Sequence, residues 1–421
     1  MFYLMNKNNK VLEFDITKGI DYIAVVRNVF DTYPYGCNEA CLTGWLDKRH
    51  ASKHRKHLTE YLGSMRANDL LGFLKLTHSI SINDTYWVKE DCESLTWEDI
   101  SPYSNDFDEV ISHLAFDGTG LQGVQMSSTS PEFGTTGAYE KCWVREDNSI
   151  YLYKRGTEGF RNSGLEPYSE HLASQVFTVL SDGISYDIVN YRKKIASKCK
   201  LFTDENIGYV PYSLLGNSID SADSILNFFE RIGSGDAFRR MLVCDSIVFN
   251  TDRHMGNYGC LFDTNTLELK GMSPCFDFNL SLFPMEDKDA FADANSLVSK
   301  YTPKIGHDFI SIAKAVLTSS IRSDLVNFKG FEYDYTGDDK FTKERVTWLS
   351  SISNQQINHI LGKSDVVLYT NPNVSNISNL YKYRLKYRLS EEEFNNDVPR
   401  LCKLLGVEHM YDLEEKIVDL L

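Results

Sequence analysis

The sequence predicts an α+β protein in which a β-rich lobe is followed by a mostly helical lobe, and an α/β module precedes both. Short runs of strand composition separated by turn residues dominate residues 116–220, whereas helical periodicity dominates residues 221–421. Residues 1–115 combine a hairpin pattern with a helical stretch, and they end in an acidic, turn-rich segment that indicates a boundary. At 421 residues the chain is also longer than one ordinary core requires.

The N-terminal module is predicted to begin with a β-hairpin over Phe2 to Asp15, whose turn lies at Asn6 to Asn9. A helical stretch follows from about Cys41 to Met65. Its two apolar clusters fall on different faces at about 3.6 residues per turn, so we expect a break near Asp47 to Ser52. A run of strand composition, Tyr86 to Val88, follows before the boundary.

A basic segment lies between the two apolar clusters of this module. It contains five cationic side chains, Lys48, Arg49, Lys53, Arg55 and Lys56. A basic segment in an acidic protein is suited to a phosphate group or an acidic partner. A solvated helix face paired with acidic neighbours produces the same pattern, and we expect this second arrangement because charged helix faces are ordinarily exposed.

In the β-rich lobe, Cys142 to Arg145 and Ile150 to Lys154 flank a short turn and predict a hairpin. A helix is predicted over Pro167 to Leu180, because apolar residues recur there at helical spacing and a glycine follows. Two further strand-like runs, Tyr186 to Tyr191 and Ser197 to Phe202, complete the order hairpin, helix, hairpin.

In the helical lobe, apolar periodicity predicts helices over Ile225 to Ile232 and Ala237 to Phe249. The short apolar strands Cys260 to Phe262 and about Leu267 to Met272 interrupt this region. Helical periodicity returns from about Asp308 and continues to the last residue.

Composition and charge narrow the range of partners. The net charge of −15 argues against direct binding of nucleic acid or of an anionic membrane, since both require a basic surface. The nine cysteines are odd in number and scattered, which indicates a reducing compartment rather than a disulfide scaffold. The chain has no run long and apolar enough to span a membrane and no leading secretion signal. We therefore expect a cytoplasmic protein.

Two polar loops of the helical lobe carry the strongest chemical signal. In Asn250 to Asn257, Asp252 precedes Asn257 by the spacing that separates the catalytic Asp from the metal-binding Asn in protein-kinase catalytic loops. Asp277 follows within the apolar stretch Pro274 to Asn279, where a second metal ligand is expected. Mg²⁺ prefers a few hard oxygens together with water and phosphate. The pattern predicts phosphoryl transfer, with Asp252 at the acceptor hydroxyl and Asn257 and Asp277 binding the metal.

A lysine and a glutamate precede these loops in the order that phosphoryl transfer requires. Lys154 ends the second strand of the predicted hairpin, where it is placed to reach the α and β phosphates of ATP. Glu170 lies in the first turn of the next helix, where it is placed to form an ion pair with Lys154. Taken singly, each residue also has an ordinary structural explanation, as an exposed lysine and a helix-start acid. Their order favours the functional interpretation.

Two further segments are predicted to contact the nucleotide. Gly134, Thr135, Thr136 and Gly137 lie in a glycine- and hydroxyl-rich loop just before a strand, where backbone amides can bind phosphates. An ordinary turn has the same composition, and neither a Gly-x-Gly-x-x-Gly nor a Walker lysine motif is present. By order along the chain alone, Phe202 and Thr203 begin the hinge that holds adenine.

From about Gly123 to Leu282 these motifs resemble the HipA-like family of bacterial serine/threonine kinases. Gly137 to Lys141 resembles the Gly-rich ATP loop of that family, and Asn250 to Asp252 with Asn257 resembles its catalytic loop. Pro274 to Asp277 resembles its metal-binding loop, and Lys154 and Glu170 fall where its lysine and helix glutamate lie. The catalytic-loop sequence is also similar to phosphatidylinositol 3- and 4-kinases.

The resemblance implies a bilobal protein-kinase-like fold that uses ATP and Mg²⁺ to phosphorylate a protein substrate. It also implies, for several members, toxin activity against a translation component and an antitoxin protein as partner. It further implies self-phosphorylation within the Gly-rich loop, for which Ser127 to Ser130, Thr135 and Thr136 are unranked candidates. The sequence departs from ordinary kinases at Asn279, where a glycine usually follows Asp-Phe, and no Ala-Pro-Glu motif marks an activation segment.

Two other functions compete with a serine/threonine protein kinase. The similarity to phosphatidylinositol kinases favours a lipid or small-molecule kinase, but the chain lacks a basic, apolar stretch suited to a membrane surface. A nucleotide-binding pseudokinase would act only as a binding module. All five expected catalytic residues are present, so the enzyme is the stronger prediction.

Overall fold

The structure is a computed structural model of the 421-residue chain. It describes residues 1–50, 60, 62, 69–118, 130–135, 137, 139–159, 163–216, 220–287, 289–362, 369, 383, 386–387, 391–407, 413 and 416–420. Within these residues, three antiparallel sheets are followed by a mostly helical region. The α+β class predicted from the sequence is confirmed.

The first sheet belongs to the N-terminal module. It contains β1 (Phe2–Asn6), β2 (Asn9–Lys18), β3 (Tyr22–Val29) and β4 (Tyr86–Glu90), in the order β3-β2-β1-β4. The hairpin predicted at the N-terminus is confirmed by the antiparallel pairing of β1 with β2. Both faces of β1 are buried: Phe2 and Leu4 pack in one cluster with Leu42 and Leu70, and Tyr3 and Met5 pack in another with Trp97 and Ile100.

The helices of the module are short. They are α1 (Leu42–Asp47), α2 (Leu70–Thr77), α3 (Trp97–Ile100) and α4 (Glu109–Asp117). The end of α1 lies where the break is predicted, and residues 51–59 of the basic segment lie outside the described residues. The prediction of a solvated basic face is wrong for Arg49, which is only 8% exposed because its guanidinium is satisfied by internal acceptors.

The second sheet forms the β-rich lobe. Its strands are β5 (Lys141–Glu146), β6 (Ser149–Arg155), β7 (Asp187–Tyr191) and β8 (Lys194–Lys200), in the order β5-β6-β8-β7. Helix α5 (Glu166–Leu180) connects the two hairpins, as predicted. Proline in its first turn suits a helix start, since the N–H groups there have no partner within the helix.

The third sheet was predicted only in part from the sequence. It contains β9 (Ile207–Pro211), β10 (Gly259–Asp263) and β11 (Leu269–Met272), in the order β11-β10-β9. The two later strands are predicted from the sequence, but β9 is missed. A glycine within β9 and a proline at its end weaken its strand signal, and its partner lies far along the chain.

Helices make up most of the remainder. They are α6 (Ala222–Arg231), α7 (Gly235–Ile247), α8 (Ala294–Ser299), α9 (Phe309–Ala315), α10 (Ser319–Phe328), α11 (Lys343–Leu361) and α12 (Glu391–Leu405). The largest hydrophobic core runs from α5 through α7 to α11. In the part of the chain that the structure describes, every helix is too short or too polar to cross a lipid bilayer.

The N-terminal module shares a core with the β-rich lobe. Phe73 of α2 and Leu114 of α4 pack in one cluster with Tyr153 and Ala196 of the second sheet. Helix α4 also crosses the boundary predicted after residue 115. The module therefore has its own sheet, yet it is joined to the lobe by continuous apolar packing.

Candidate active site

A buried lysine joins two acidic residues from distant parts of the chain. Nζ of Lys154, on β6, lies 2.7 Å from Oε1 of Glu170 and 2.6 Å from Oδ1 of Asp277. Lys154 is 4% exposed and Glu170 is fully buried. The ion pair predicted between Lys154 and Glu170 is present, and Lys154 forms a second ion pair with Asp277. Because an unpaired buried charge costs about 3–5 kcal/mol, these three side chains depend on one another.

Burial and the neighbouring charges shift the pKa values of Lys154 and Asp277 in opposite directions. Burial by itself would lower the pKa of Lys154, but the two carboxylates hold that pKa well above its ordinary value. Burial would raise the pKa of Asp277, but the positive charges of Lys154 and Lys141 lower it to about 2. At neutral pH Lys154 is therefore a cation and Asp277 a carboxylate.

Local structure sets the orientation of Glu170. It lies one turn into α5, where Ser197 of β8 donates a hydrogen bond of 2.6 Å to Oε2. The backbone N–H of Phe278 donates to Oε1 at 3.3 Å. Both carboxylate oxygens are thus occupied, and Glu170 acts by holding Lys154 rather than by facing the cavity.

The predicted catalytic loop, Asn250 to Asn257, follows α7 and is held by buried polar contacts. Asn250 is fully buried, and its Oδ1 accepts a hydrogen bond of 3.0 Å from the N–H of Asp252. The Nδ2 of Asn257 donates to the carbonyl of Asp252 at 3.0 Å. This contact assigns the amide orientation and leaves Oδ1 of Asn257 for another ligand.

Arg253 joins the two polar loops by hydrogen bonds, a role that was not predicted from the sequence. It is 2% exposed, and its Nε and Nη2 each lie 2.9 Å from the carboxylate of Asp245. Its Nη1 donates to the carbonyls of Asn257, at 2.8 Å, and Phe276, at 2.7 Å. The sequence signal for this role is Asp245 in the preceding helix. Its pairing with Arg253 is recognisable only in the folded protein, where the helix and the loop lie side by side.

The environment of Asp252 suits a proton acceptor. Burial, together with repulsion from Asp277, raises the pKa of Asp252, although the nearby His254 opposes the shift. A carboxylate with a raised pKa holds a proton more readily than an ordinary aspartate does. His254 itself has a structural contact, since its Nδ1 accepts a hydrogen bond of 3.0 Å from the N–H of Gly256.

These residues line a cavity of about 570 Å³, a size typical of small-molecule sites. Eight of the predicted site residues lie on its wall: Gly134, Thr135, Gly137, Lys154, Phe202, Asp252, Asn257 and Asp277. Thr203 does not line it, since its hydroxyl donates to the carbonyl of Ile82 at 2.7 Å. Thr136 lies outside the described residues.

The described part of the Gly-rich loop is anchored by a buried acid. Oε1 of Glu132 accepts hydrogen bonds from the Ser112 hydroxyl, at 3.0 Å, and from the Trp143 N–H, at 3.1 Å. The indole N–H of Trp143 donates to the hydroxyl of Thr135 at 2.8 Å. Gly137 has a φ of +92°, a conformation that favours glycine.

Lys141 is a second cation on the cavity wall, and no individual role was predicted for it from the sequence. It is 6% exposed and lies opposite Lys154 in the register of β5 and β6. It lines the cavity, and a Cβ on Gly137 would overlap its Nζ. Two lysines on neighbouring strands therefore place their positive charges on the same part of the cavity wall.

The donor atoms near these lysines fit a magnesium ion. Oδ1 of Asp277 binds Lys154, and within the described residues its Oδ2 has no hydrogen-bond partner. Oδ1 of Asn257 is likewise without a partner among those residues. One carboxylate and one amide oxygen, completed by phosphate and water, make a donor set that Mg²⁺ accepts.

Aromatic rings form a second part of the cavity wall, the aromatic end. The rings of Phe202, Tyr209 and Phe276 pack together, with centroids 5.4 to 5.6 Å apart. Strand β8 runs from Ser197, opposite Lys154, toward Leu201. Phe202 follows the end of β8, whereas Phe276 directly precedes Asp277, so the rings border both the predicted hinge and the charged cluster.

Comparison with known proteins gives one significant sequence match. No protein-family model matches the chain. The chain is similar to the serine/threonine-protein kinase CtkA of Helicobacter pylori (strain J99), with 29% identity over 136 residues. The match covers 28% of this chain and 42% of CtkA, so less than half the length of that relative is spanned.

Two solved structures also align with the chain. The crystal structure of the Helicobacter pylori proinflammatory kinase CtkA aligns with a TM-score of 0.42 and 17% identity, over 55% of this chain and 93% of that one. HipA of the Shewanella oneidensis MR-1 toxin–antitoxin system, solved with HipB and operator DNA, aligns with a TM-score of 0.44 and 10% identity. That alignment covers 86% of this chain and 98% of the other. On the sequence match, the chain is homologous to a bacterial serine/threonine kinase, which agrees with the kinase motifs of its sequence.

Proposed function

We propose that this chain is an ATP-dependent, magnesium-requiring kinase that transfers phosphate to serine or threonine of a protein. The observation that carries the proposal is the convergence of Lys154, Asp252, Asn257 and Asp277 on one cavity, with Lys154 bound to both Glu170 and Asp277. Lys154 is far from the other three residues in sequence, and phosphoryl transfer needs this combination of cation, metal-binding oxygens and proton acceptor.

Each residue has a separate task in the proposed reaction. Lys154, held by Glu170, binds the phosphates of ATP, and Asn257 and Asp277 bind Mg²⁺ through oxygens that have no other partner among the described residues. The metal, when bound, neutralises negative charge on the phosphates. The acceptor hydroxyl oxygen forms a bond to the γ-phosphorus while the bond from that phosphorus to the β–γ bridging oxygen breaks. The hydroxyl proton moves to Asp252, and ADP leaves.

Incubation with γ-labelled ATP and a bacterial extract tests this proposal. We expect label on serine or threonine of an extract protein, identified by mass spectrometry, with the wild type and with Asp187→Ala, an exposed control on β7. Wild-type protein that binds Mg-ATP but labels no protein would contradict it. Label on a metabolite instead would favour a small-molecule kinase, and binding without any transfer would favour a pseudokinase.

The motif resemblance also supports a toxin role, with a translation component as substrate and an antitoxin protein as partner in the cytoplasm. Overexpression is then expected to arrest bacterial growth, and Asp252→Ala to relieve the arrest. Normal growth under overexpression of an active kinase would exclude this role while leaving the kinase proposal intact.

Self-phosphorylation is the third component of the proposal. Among the candidate acceptors, Ser130 is buried, and its Oγ accepts a hydrogen bond from the N–H of Asp108 at 3.2 Å. The hydroxyl of Thr135 donates to the carbonyl of Pro131 at 2.8 Å. The other four candidates lie outside the described residues: Ser127, Ser128, Thr129 and Thr136. We expect phosphopeptide mapping to find the modification on one of those four, and a phosphate on Ser130 would contradict this.

A further inference from the structure

A loop of the N-terminal module forms part of the cavity wall. This wall loop, Ser79 to Asp84, connects α2 to β4. Four of its residues line the cavity: Ser81, Ile82, Asn83 and Asp84. Ser79 is fully buried and Ile82 nearly so, although the loop has no regular secondary structure. Buried backbone groups outside helices and sheets need specific partners, and these partners show what the loop is attached to.

The first set of partners lies in the hinge and in β9. The hydroxyl of Thr203 donates to the carbonyl of Ile82 at 2.7 Å. The N–H of Tyr209 donates to the carbonyl of Asn83 at 2.7 Å. The wall loop is therefore hydrogen-bonded to the segment that forms the aromatic end of the cavity.

The second attachment is to the Gly-rich loop. The backbone of Gly134 approaches the wall loop so closely that a Cβ there would overlap the carbonyl oxygen of Ile80. Gly134 and Ser81 both line the cavity. The wall loop thus spans the distance between the hinge and the Gly-rich loop, the two segments proposed to enclose the nucleotide.

Arg49 holds both ends of the wall loop from inside the module. Its Nη1 and Nη2 lie 2.7 and 2.8 Å from the carboxylate oxygens of Asp84. Its Nε donates to the carbonyl of Ser79 at 2.9 Å, and Nη2 also donates to that of Tyr86 at 2.9 Å. A guanidinium suits this task because its planar fork offers paired donors, which a lysine cannot.

Asn83 is the polar side chain of the wall loop that is left to bind a ligand. It is half-buried on the cavity wall, and within the described part of the chain neither atom of its side-chain amide has a hydrogen-bond partner. A primary amide both donates and accepts hydrogen bonds. The base and the ribose of a nucleoside present the matching groups, and the backbone of Asn83 is hydrogen-bonded to Tyr209, one of the three packed rings.

We propose that the wall loop is part of the nucleotide site, that Asn83 hydrogen-bonds the nucleoside half of ATP, and that Arg49 is a positioning residue for the loop. This inference rests on the proposed ATP-dependent function and adds the N-terminal module to its site. The module then determines nucleoside affinity, while the phosphate end is built by the β-rich and helical lobes.

Calorimetric titration of the full chain with ATP, adenosine and inorganic tripolyphosphate tests the role of Asn83. We expect Asn83→Ala to weaken binding of ATP and adenosine by about 5- to 30-fold, as loss of one or two hydrogen bonds predicts, and to leave tripolyphosphate unchanged. The control Asn28→Ala, at an exposed asparagine of β3 in the same module, is expected to change none of the three. A 2′-deoxy analogue of ATP that is insensitive to Asn83→Ala assigns the contact to the 2′-hydroxyl, and one that is equally sensitive assigns it to the base or the 3′-hydroxyl.

Arg49→Lys tests the positioning role, because lysine keeps the charge but loses the paired contact. We expect weaker adenosine binding, and an effect that is not additive with Asn83→Ala, since both changes act through one loop. A lower Tm with unchanged adenosine affinity would overturn the positioning role. Equal affinity of Asn83→Ala and wild type for ATP would overturn the inference alone, whereas a wild type that binds no nucleotide would overturn the proposed function itself.

Discussion

The two ends of the cavity are built on different principles. At the phosphate end, Lys141, Lys154 and Asp277 form a charged cluster within the two lobes. At the nucleoside end, the wall consists of aromatic rings and of a loop from the N-terminal module. This loop precedes the first of the rings, Phe202, by more than a hundred residues.

This contrast explains why only some parts of a site can be recognised from the sequence. A buried charge is stable only with a partner, so the phosphate end requires particular residue types at particular positions. The nucleoside end requires shape and a few hydrogen bonds, which many residue combinations supply. The first end is therefore recognisable as motifs, and the second is recognisable only in the folded chain.

The largest expected effect is that of Asp252→Ala on phosphoryl transfer. Loss of the proton acceptor is expected to lower kcat by about 10²- to 10⁴-fold while ATP affinity stays within a few-fold. Single-turnover transfer and equilibrium binding measure the two quantities separately. Equal kcat in wild type and variant would remove Asp252 from the mechanism.

The same carboxylate predicts the acid limb of the pH profile. The pKa of Asp252 is raised, so kcat/KM is expected to fall with decreasing pH at a higher pH than an ordinary aspartate would cause. The pKa of Asp277 is lowered to about 2, so the stability contributed by its pairing with Lys154 is present above its unfolded pKa of about 3.9 and is lost only as pH falls toward 2. An unfolding transition that coincides with the acid limb would contradict this separation.

Asp277→Ala is expected to act on the phosphate end alone. It removes one metal-binding oxygen and one partner of Lys154, and we expect Mg-ATP affinity to fall by about 10- to 100-fold. Adenosine affinity should stay unchanged if the two ends are independent. Titration of both ligands measures this, and a parallel loss of adenosine binding would show that the ends are coupled.

Lys141→Met tests whether the second lysine contributes to phosphate binding. We expect ATP affinity to fall by about 10-fold, because one cation leaves the phosphate end, with adenosine affinity again unchanged. Lys329→Met, at an exposed lysine of the helical lobe, is the matched control. Equal ATP affinity in Lys141→Met and wild type would limit phosphate binding to Lys154.

The smallest expected effect is that of Thr203→Val. The substitution keeps the shape but removes the hydroxyl that donates to the carbonyl of Ile82, and the Tyr103 hydroxyl still donates to that carbonyl at 2.9 Å. Because one acceptor contact remains, we expect nucleoside affinity to fall only about 2- to 5-fold. A measured loss of tripolyphosphate binding would show that this contact acts beyond the nucleoside end.

Much of the fold could be predicted from the sequence. Hairpins and the helix between them follow from local periodicity, and these elements lie where they were expected. Strand β9 could not be predicted, because its signal depends on pairing with β10. Arg49 could not be assigned either, since a cationic side chain is expected at the surface until the loop that it clamps is known.

The chemistry proposed for the phosphate end follows from the sequence alone, since a lysine, a glutamate and two polar loops occur in the order required for phosphoryl transfer. Spacing and residue type carry that information because charged groups that act together must each be present. Tertiary structure alone decided that Lys154 contacts Asp277, that Arg253 joins the two loops, and that the N-terminal module forms a wall of the cavity. Those contacts join residues far apart in the chain, and they come together only when separate elements pack against one another.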